Sequence, residues 1–196
     1  KQYITEFKDK VIKHIWFEKL FSPYLMYVRV LHEYFDTPTD DNLLTPFDIT
    51  KGKFANLKYQ TDAVQLAMNS IKNHEGVIIS DVVGLGKSVI ASAVARNLRL
   101  RSIVICPPHL EKQWIEYKSD FDFNATVFTS GKLQDALNYY KKIVRQDEKI
   151  LVIIDEAHRY KNEFTQDYSL LHELCMGNKV VLLTATPFNN RPDDIY

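Results

Sequence analysis

Apolar and polar positions follow two different rhythms along this chain. Up to about residue 50, apolar and aromatic residues recur at helical spacing. Ile4, Phe7, Val11, Ile12, Ile15, Trp16 and Leu20 form one stripe, and Tyr24, Tyr27, Val28, Leu31, Tyr34 and Phe35 a second. Between them, Ser22-Pro23 reads as an N-cap followed by proline at the first helical position. Asp36 to Asn42 is a polar breaker. Residues 1–53 are therefore expected to form a helical accessory region, closed by a connector over Pro46 to Lys53.

From residue 54 to 196 the rhythm changes to alternating helices and short apolar runs. Strands are predicted at Val77–Ser80, Ile103–Cys106, Thr126–Thr129, Leu151–Ile154 and Val180–Leu183. Helices are predicted at Leu57–Asn73, Ser88–Leu98, Leu110–Tyr117, Leu133–Val144 and Asp167–Met176. Apolar strands separated by helices predict an α/β fold with a mainly parallel sheet covered on both faces. Ligands of such sheets sit beyond the carboxyl ends of the strands. Each distinctive motif of this chain falls just after a predicted strand.

Composition narrows the picture. A hydrophobic content of 45% supports a real core rather than disorder. Lys plus Arg and Asp plus Glu both number 25, so any nucleic-acid surface must be local. Cys106 and Cys175 have no metal-like spacing; they read as small buried hydrophobes in a reducing compartment. No apolar run reaches the length of a membrane span, and no signal peptide opens the chain. A cytoplasmic location and no membrane partner are the expectations. The chain opens on Lys1 and stops at Tyr196, which reads as a piece of a longer protein.

The first chemical motif is Asp81-Val82-Val83-Gly84-Leu85-Gly86-Lys87-Ser88, between a predicted strand and a predicted helix. Its spacing matches a phosphate loop, G-x-x-x-x-G-K-[ST], except that Asp81 stands at the first position. Loop amides and the helix N-terminus would aim donors at one spot, where phosphates can bind. Lys87 would reach the outer phosphates and the Ser88 hydroxyl would hold Mg²⁺. The alternative is a tight strand-to-helix turn with a solvated lysine.

The second motif is Asp155-Glu156-Ala157-His158, delivered by the apolar run Leu151 to Ile154. Asp155 would hold Mg²⁺, largely through water, and Glu156 would orient and deprotonate an attacking water. A phosphate loop with such a pair favours hydrolysis. His158 could relay between the nucleotide and a neighbouring segment. The pair could also be a helix start with favourable charges.

Together these residues resemble the first RecA-like lobe of a superfamily-two helicase, in its Swi/Snf-type branch of DNA translocases. In that branch the phosphate loop normally begins with Asp, as at Asp81. Asp155 to Asn162 resembles motif II, Ile105 to Trp114 motif Ia, and Leu183 to Asn190 motif III and its following loop. Asp193-Asp194-Ile195-Tyr196 matches the family only by residue type. More weakly, Ser22 to Tyr27 resembles bacterial helicases with a phospholipase-D-like nuclease domain upstream.

The resemblance implies a RecA-like three-layer sandwich over 54–196 that binds ATP and Mg²⁺. It gives Tyr59 and Gln60 a role in recognising adenine, since a Gln amide offers one donor and one acceptor. It implies backbone contacts to duplex DNA from Pro107, Pro108 and His109, and from Thr129, Ser130 and Lys132, although each segment could be an ordinary turn. It places the last strand between the phosphate-loop strand and the motif II strand. There Thr184 and Thr186 could sense Asp155, Glu156 and His158, or simply end the strand. A second RecA-like lobe of the same full-length chain would supply an arginine finger, leaving this fragment weakly active. A motor lobe of a restriction system, an RNA-directed helicase and a non-hydrolysing interaction module remain as alternatives.

Overall fold

The computed structural model describes residues 42–80, 86–144 and 148–185. The expectations for the helical accessory region up to residue 41, for Asp81 to Leu85 and for Thr186 onward lie outside the described residues. Elements below are numbered within them.

A short helix, α1 (Pro46–Ile49), occupies the expected connector. Thr45 caps it: the Thr45 hydroxyl accepts from the Asp48 amide, and the Asp48 carboxylate accepts from the Thr45 amide. This reciprocal box, with proline at the first turn, suffices to nucleate one turn where no apolar periodicity announces a helix.

There follow α2 (Lys58–His74), β1 (Gly76–Ser80), α3 (Lys87–Leu98), β2 (Ser102–Cys106), α4 (Glu111–Asp120), β3 (Ala125–Thr129), α5 (Leu133–Ile143), β4 (Leu151–Ile154), α6 (Gln166–Cys175) and β5 (Lys179–Thr184). Single 3₁₀ turns sit at Pro108–Leu110, Ser130–Lys132 and Ala157–Tyr160, just after β2, β3 and β4.

The five strands form one sheet in the order β1-β5-β4-β2-β3, every pair parallel. The last strand thus lies between the phosphate-loop strand and the motif II strand, as the resemblance implied. The register aligns Ser80 with Thr184, Leu182 with Ile154, and Ile154 with Ile105. All carboxyl ends therefore open on one edge.

Successive residues of a strand face opposite sides, and the sequence uses both. Val104, Cys106, Leu151, Ile153, Val181 and Leu183 pack against α2, α3 and α4. Ile103, Ile105, Val152 and Ile154 pack against α5 and α6. The result is a three-layer α/β/α sandwich. The central strands β2 and β4 are buried at every position. Continuous burial was expected of all five strands, but the edge strands β1 and β3, and also the interior strand β5, are only partly covered. Cys106 is fully buried as expected, whereas Cys175 is only partly so.

Candidate nucleotide and acidic-pair site

Two backbone devices build the site. After residue 85 the chain turns sharply into α3 through Gly86, which holds φ 84° and ψ 36°. A Cβ at Gly86 would lie 2.6 Å from Gln60 Nε2, so a larger residue would be strained by the positive φ and would have to displace the Gln60 amide. The same contact locates Gln60, buried on the first turn of α2, against the end of the phosphate loop. Tyr59 beside it is exposed, with its hydroxyl 3.4 Å from Gln60 Nε2. Gln60 would have been read from the residues alone as a solvated helix start; the structure buries it.

The second device is a ladder that continues past the strand. The Asp155 amide donates to the Ile105 carbonyl at 2.8 Å, extending the β2–β4 pairing by one residue. Asp155 is thereby fixed at the sheet edge, and its side chain is buried. Glu156 follows in the left-handed region, φ 52° and ψ 47°. That conformation is costly for a residue with a Cβ and concentrates at functional sites. It swings the chain into the 3₁₀ turn that carries His158.

The polar groups interlock. Trp114 Nε1 donates to Asp155 Oδ2 at 2.9 Å, and the Glu156 amide donates to Asp155 Oδ1 at 2.9 Å. Burial raises the Asp155 carboxyl above its ordinary range, while the Trp114 bond, the Glu156 amide and the Lys87 charge pull it back. Lys87, the first residue of α3, therefore acts electrostatically on the acid delivered by β4. His158 Nδ1 lies 3.2 Å from Glu156 Oε2 and 3.3 Å from Thr184 Oγ1. The end of β5 is thus joined to the acidic pair through one imidazole nitrogen.

Burial also drives the Cys106 thiol up to about 12, and the Asp155 and Glu111 carboxylates add to the effect. The Tyr160 hydroxyl is pushed up by burial and drawn back in part by the Arg159 charge.

The structure brings Gln60, Gly86, Lys87, Asp155, Glu156, His158 and Thr184 toward one end of the sheet. Ser88 follows Lys87 in the first turn of α3. Pro107 is buried, whereas Pro108 and His109 are exposed on the 3₁₀ turn after β2. Thr129 is buried at the end of β3, Ser130 is half-buried and Lys132 exposed. Sequence reasoning assigned no role to Trp114, because its partner lies 41 residues away and no local pattern marks the contact.

A family profile described as "Type III restriction enzyme, res subunit" matches residues 53–189. Among curated proteins, the chain is 28% identical over 161 residues to an uncharacterized ATP-dependent helicase of Bacillus subtilis (strain 168), covering 73% of this chain and 28% of that protein. It is 26% identical over 167 residues to the ISWI chromatin-remodeling complex ATPase of Saccharomyces cerevisiae, covering 70% of this chain and 15% of that protein. A solved Sulfolobus solfataricus SWI2/SNF2 ATPase core in complex with dsDNA superposes with a TM-score of 0.62 at 28% identity, over 79% of this chain and 36% of that one. The chain thus spans well under half the length of these relatives.

Proposed function

The chain belongs to the type III restriction enzyme res-subunit family and is a helicase-like lobe related to SWI2/SNF2 ATPases, and from that premise we propose that it binds ATP and drives movement on DNA by hydrolysing it. The observation that supports this reading is the buried Asp155, held by Trp114 and the Glu156 amide where β4 ends, on the same carboxyl edge of the sheet from which β1 leads toward Gly86 and Lys87 at the start of α3.

The donor set suits Mg²⁺. Each Asp155 oxygen accepts one hydrogen bond, leaving lone pairs free on a hard carboxylate. Among the described residues no group of three or more His, Cys, Asp or Glu could hold a metal by itself. That fits an ion held by Ser88, by Asp155 largely through water, and by phosphate oxygens. When bound, such an ion supplies charge neutralisation on the outer phosphates.

The chain's own residues do the rest. Lys87 balances phosphate charge, and with Asp81 to Gly86 forms the cradle. Tyr59 and Gln60 would recognise the base. Glu156 orients and deprotonates the attacking water, held in its unusual backbone conformation. His158 bridges Glu156 and Thr184, so a shift of β5's end reaches the catalytic acid within two contacts; Thr186 belongs to the same coupling segment. Pro107, Pro108 and His109 after β2, with Thr129, Ser130 and Lys132 after β3, would contact the duplex backbone. A second RecA-like lobe of the full-length protein would complete the DNA track and supply an arginine. Residues 54–196 would be the lobe, with residues 1–53 an accessory region ahead of it. Among the described residues no helix is long and apolar enough to cross a membrane; the proposed location is the cytoplasm.

Isothermal titration of ATP with MgCl₂ tests the reading on the wild type and Lys87→Ala. Tight binding by the wild type alone is expected; equal affinity in both, or no heat in either, removes the nucleotide site and favours an interaction module. Hydrolysis assayed with duplex DNA and duplex RNA then decides the polymer: stimulation by RNA alone would favour an RNA-directed enzyme.

A further inference from the structure

Trp114 sits on α4, directly beyond the exposed turn after β2, and is 1% exposed. Its indole is a donor only, and its one N–H is spent on Asp155 Oδ2 at 2.9 Å. The ring is held by aromatic neighbours. Tyr117 meets it edge-on at 6.1 Å and 88°, Phe121 meets Tyr117 edge-on at 6.2 Å and 83°, and Phe54 tilts against both Tyr117 and Phe121. Lys53, next to Phe54, pairs with Asp120 at the far end of α4 at 2.6 Å. A planar side chain with two torsions, packed on this cluster, has little freedom to move its N–H.

Asp155 has the opposite problem. Its carboxylate is buried, and its other oxygen is satisfied only by the amide of the next residue. That amide belongs to the strained Glu156 and cannot by itself set the rotation of the carboxylate plane. The indole N–H can, because it approaches from a different element.

We propose that Trp114 is the positioning residue of the metal site: its indole N–H fixes the Asp155 carboxylate so that the remaining lone pairs face the magnesium-bound nucleotide. This rests on the nucleotide reading above. It also makes α4 a rigid connection between the turn after β2 and the acidic residue after β4. Such partners of metal-binding carboxylates typically matter about 10- to 100-fold in metal affinity.

The experiment measures affinity for a non-hydrolysable ATP analogue, adenylyl imidodiphosphate, by calorimetry in MgCl₂ and in EDTA. The protein variants are Trp114→Phe and one carrying benzothienylalanine at position 114, which keeps the bicyclic shape and lacks only the N–H. Each is also made in an Asp155→Asn background. The expected result is a loss of about tenfold in the Mg²⁺-dependent gain in affinity. Affinity in EDTA should be unchanged, and the effect should vanish once Asp155 is already replaced. The benzothienyl variant keeps the test decisive if Trp114→Phe fails to fold. A full Mg²⁺-dependent gain in the benzothienyl variant overturns the proposal. So does an equal loss with and without Mg²⁺, or an undiminished loss in the Asp155→Asn background; these would make Trp114 core packing whose N–H merely found a partner. A wild type without any Mg²⁺-dependent gain would instead sink the nucleotide reading, and this inference with it.

Discussion

The two edges of the sheet solve the same local problem for different ends. Both place non-glycine residues in the left-handed region. At the amino edge, Glu75 (φ 62°) closes α2 and Arg99 (φ 54°) closes α3, each donating its amide four residues back into the helix it ends. The nearby charges are paired in or near solvent: Glu75 with Lys149 at 3.1 Å and with the half-buried Lys179 at 3.0 Å, and the half-buried Arg96 with the exposed Asp122 at 3.3 Å. At the carboxyl edge, Glu156 adopts the same conformation straight after a buried strand and ends no helix. Its neighbours are buried or half-buried, and each polar group touches another. The same left-handed region thus ends a helix at one edge and turns the chain after a buried strand at the other. What distinguishes them is the chain just before the turn: a helix end at the amino edge, and at the carboxyl edge a fully buried strand followed by the buried Asp155.

The sharpest break in this comparison is Glu156→Gln. It should slow ATP hydrolysis by about 10²- to 10⁴-fold while leaving ATP binding and the melting temperature near wild type. Steady-state hydrolysis beside calorimetry checks it; unimpaired turnover would return Glu156 to the status of a turn residue.

Next comes Gly86→Ala. The added methyl meets Gln60 Nε2 at 2.6 Å in a backbone conformation that alanine resists. Denaturant titration should show a loss of about 1–3 kcal/mol, with weakened ATP affinity. A variant as stable as wild type would mean the loop shifts freely.

The matched pair Arg99→Gly and Glu156→Gly sharpens the contrast further. Relief of left-handed strain should stabilise each by about 1 kcal/mol. Only Glu156→Gly should abolish hydrolysis. If Arg99→Gly destabilises, the amino-edge turn carries more than helix termination.

The smallest effect concerns Glu75. Hydrogen bonds from Lys179 and Lys149 hold its carboxyl below the ordinary 4.5. A lowered native value contributes stability that is present above the unfolded value and lost as pH falls through the native one. The melting-temperature advantage of wild type over Glu75→Gln should therefore be small at neutral pH and fade below pH 4.5. An advantage that persists into acid would assign it to packing instead of charge.

Much of this architecture was legible because its signals are local. Four consecutive apolar residues at Leu151 to Ile154 marked β4 correctly, since a central parallel strand is buried on both faces. The glycine before α3, the lysine that opens it and the acids after β4 stand where the spacing of the motifs put them, between strand and helix and at a strand end. Thr45-Pro46 with Asp48 is a capping box in the sequence, but too few apolar residues follow it to announce a helix. The burial of Gln60 against Gly86 and the Trp114–Asp155 bond could not be read at all. Both contacts join elements far apart in sequence, and only the closed sheet puts them within reach. The uneven cover of β1 and β3 likewise depends on strand order, which no individual strand encodes.

Cys106 lies under α4 at the end of β2, fully enclosed, with its thiol held near 12. At neutral pH almost none of it is thiolate, so maleimides and mild oxidants have neither an ionised sulfur nor a path to one. That inertness turns the residue into a reporter. Alkylation at position 106 under native conditions would register the moments when the helix carrying Trp114 lifts from the sheet, timing the breathing of the lobe without any nucleotide present.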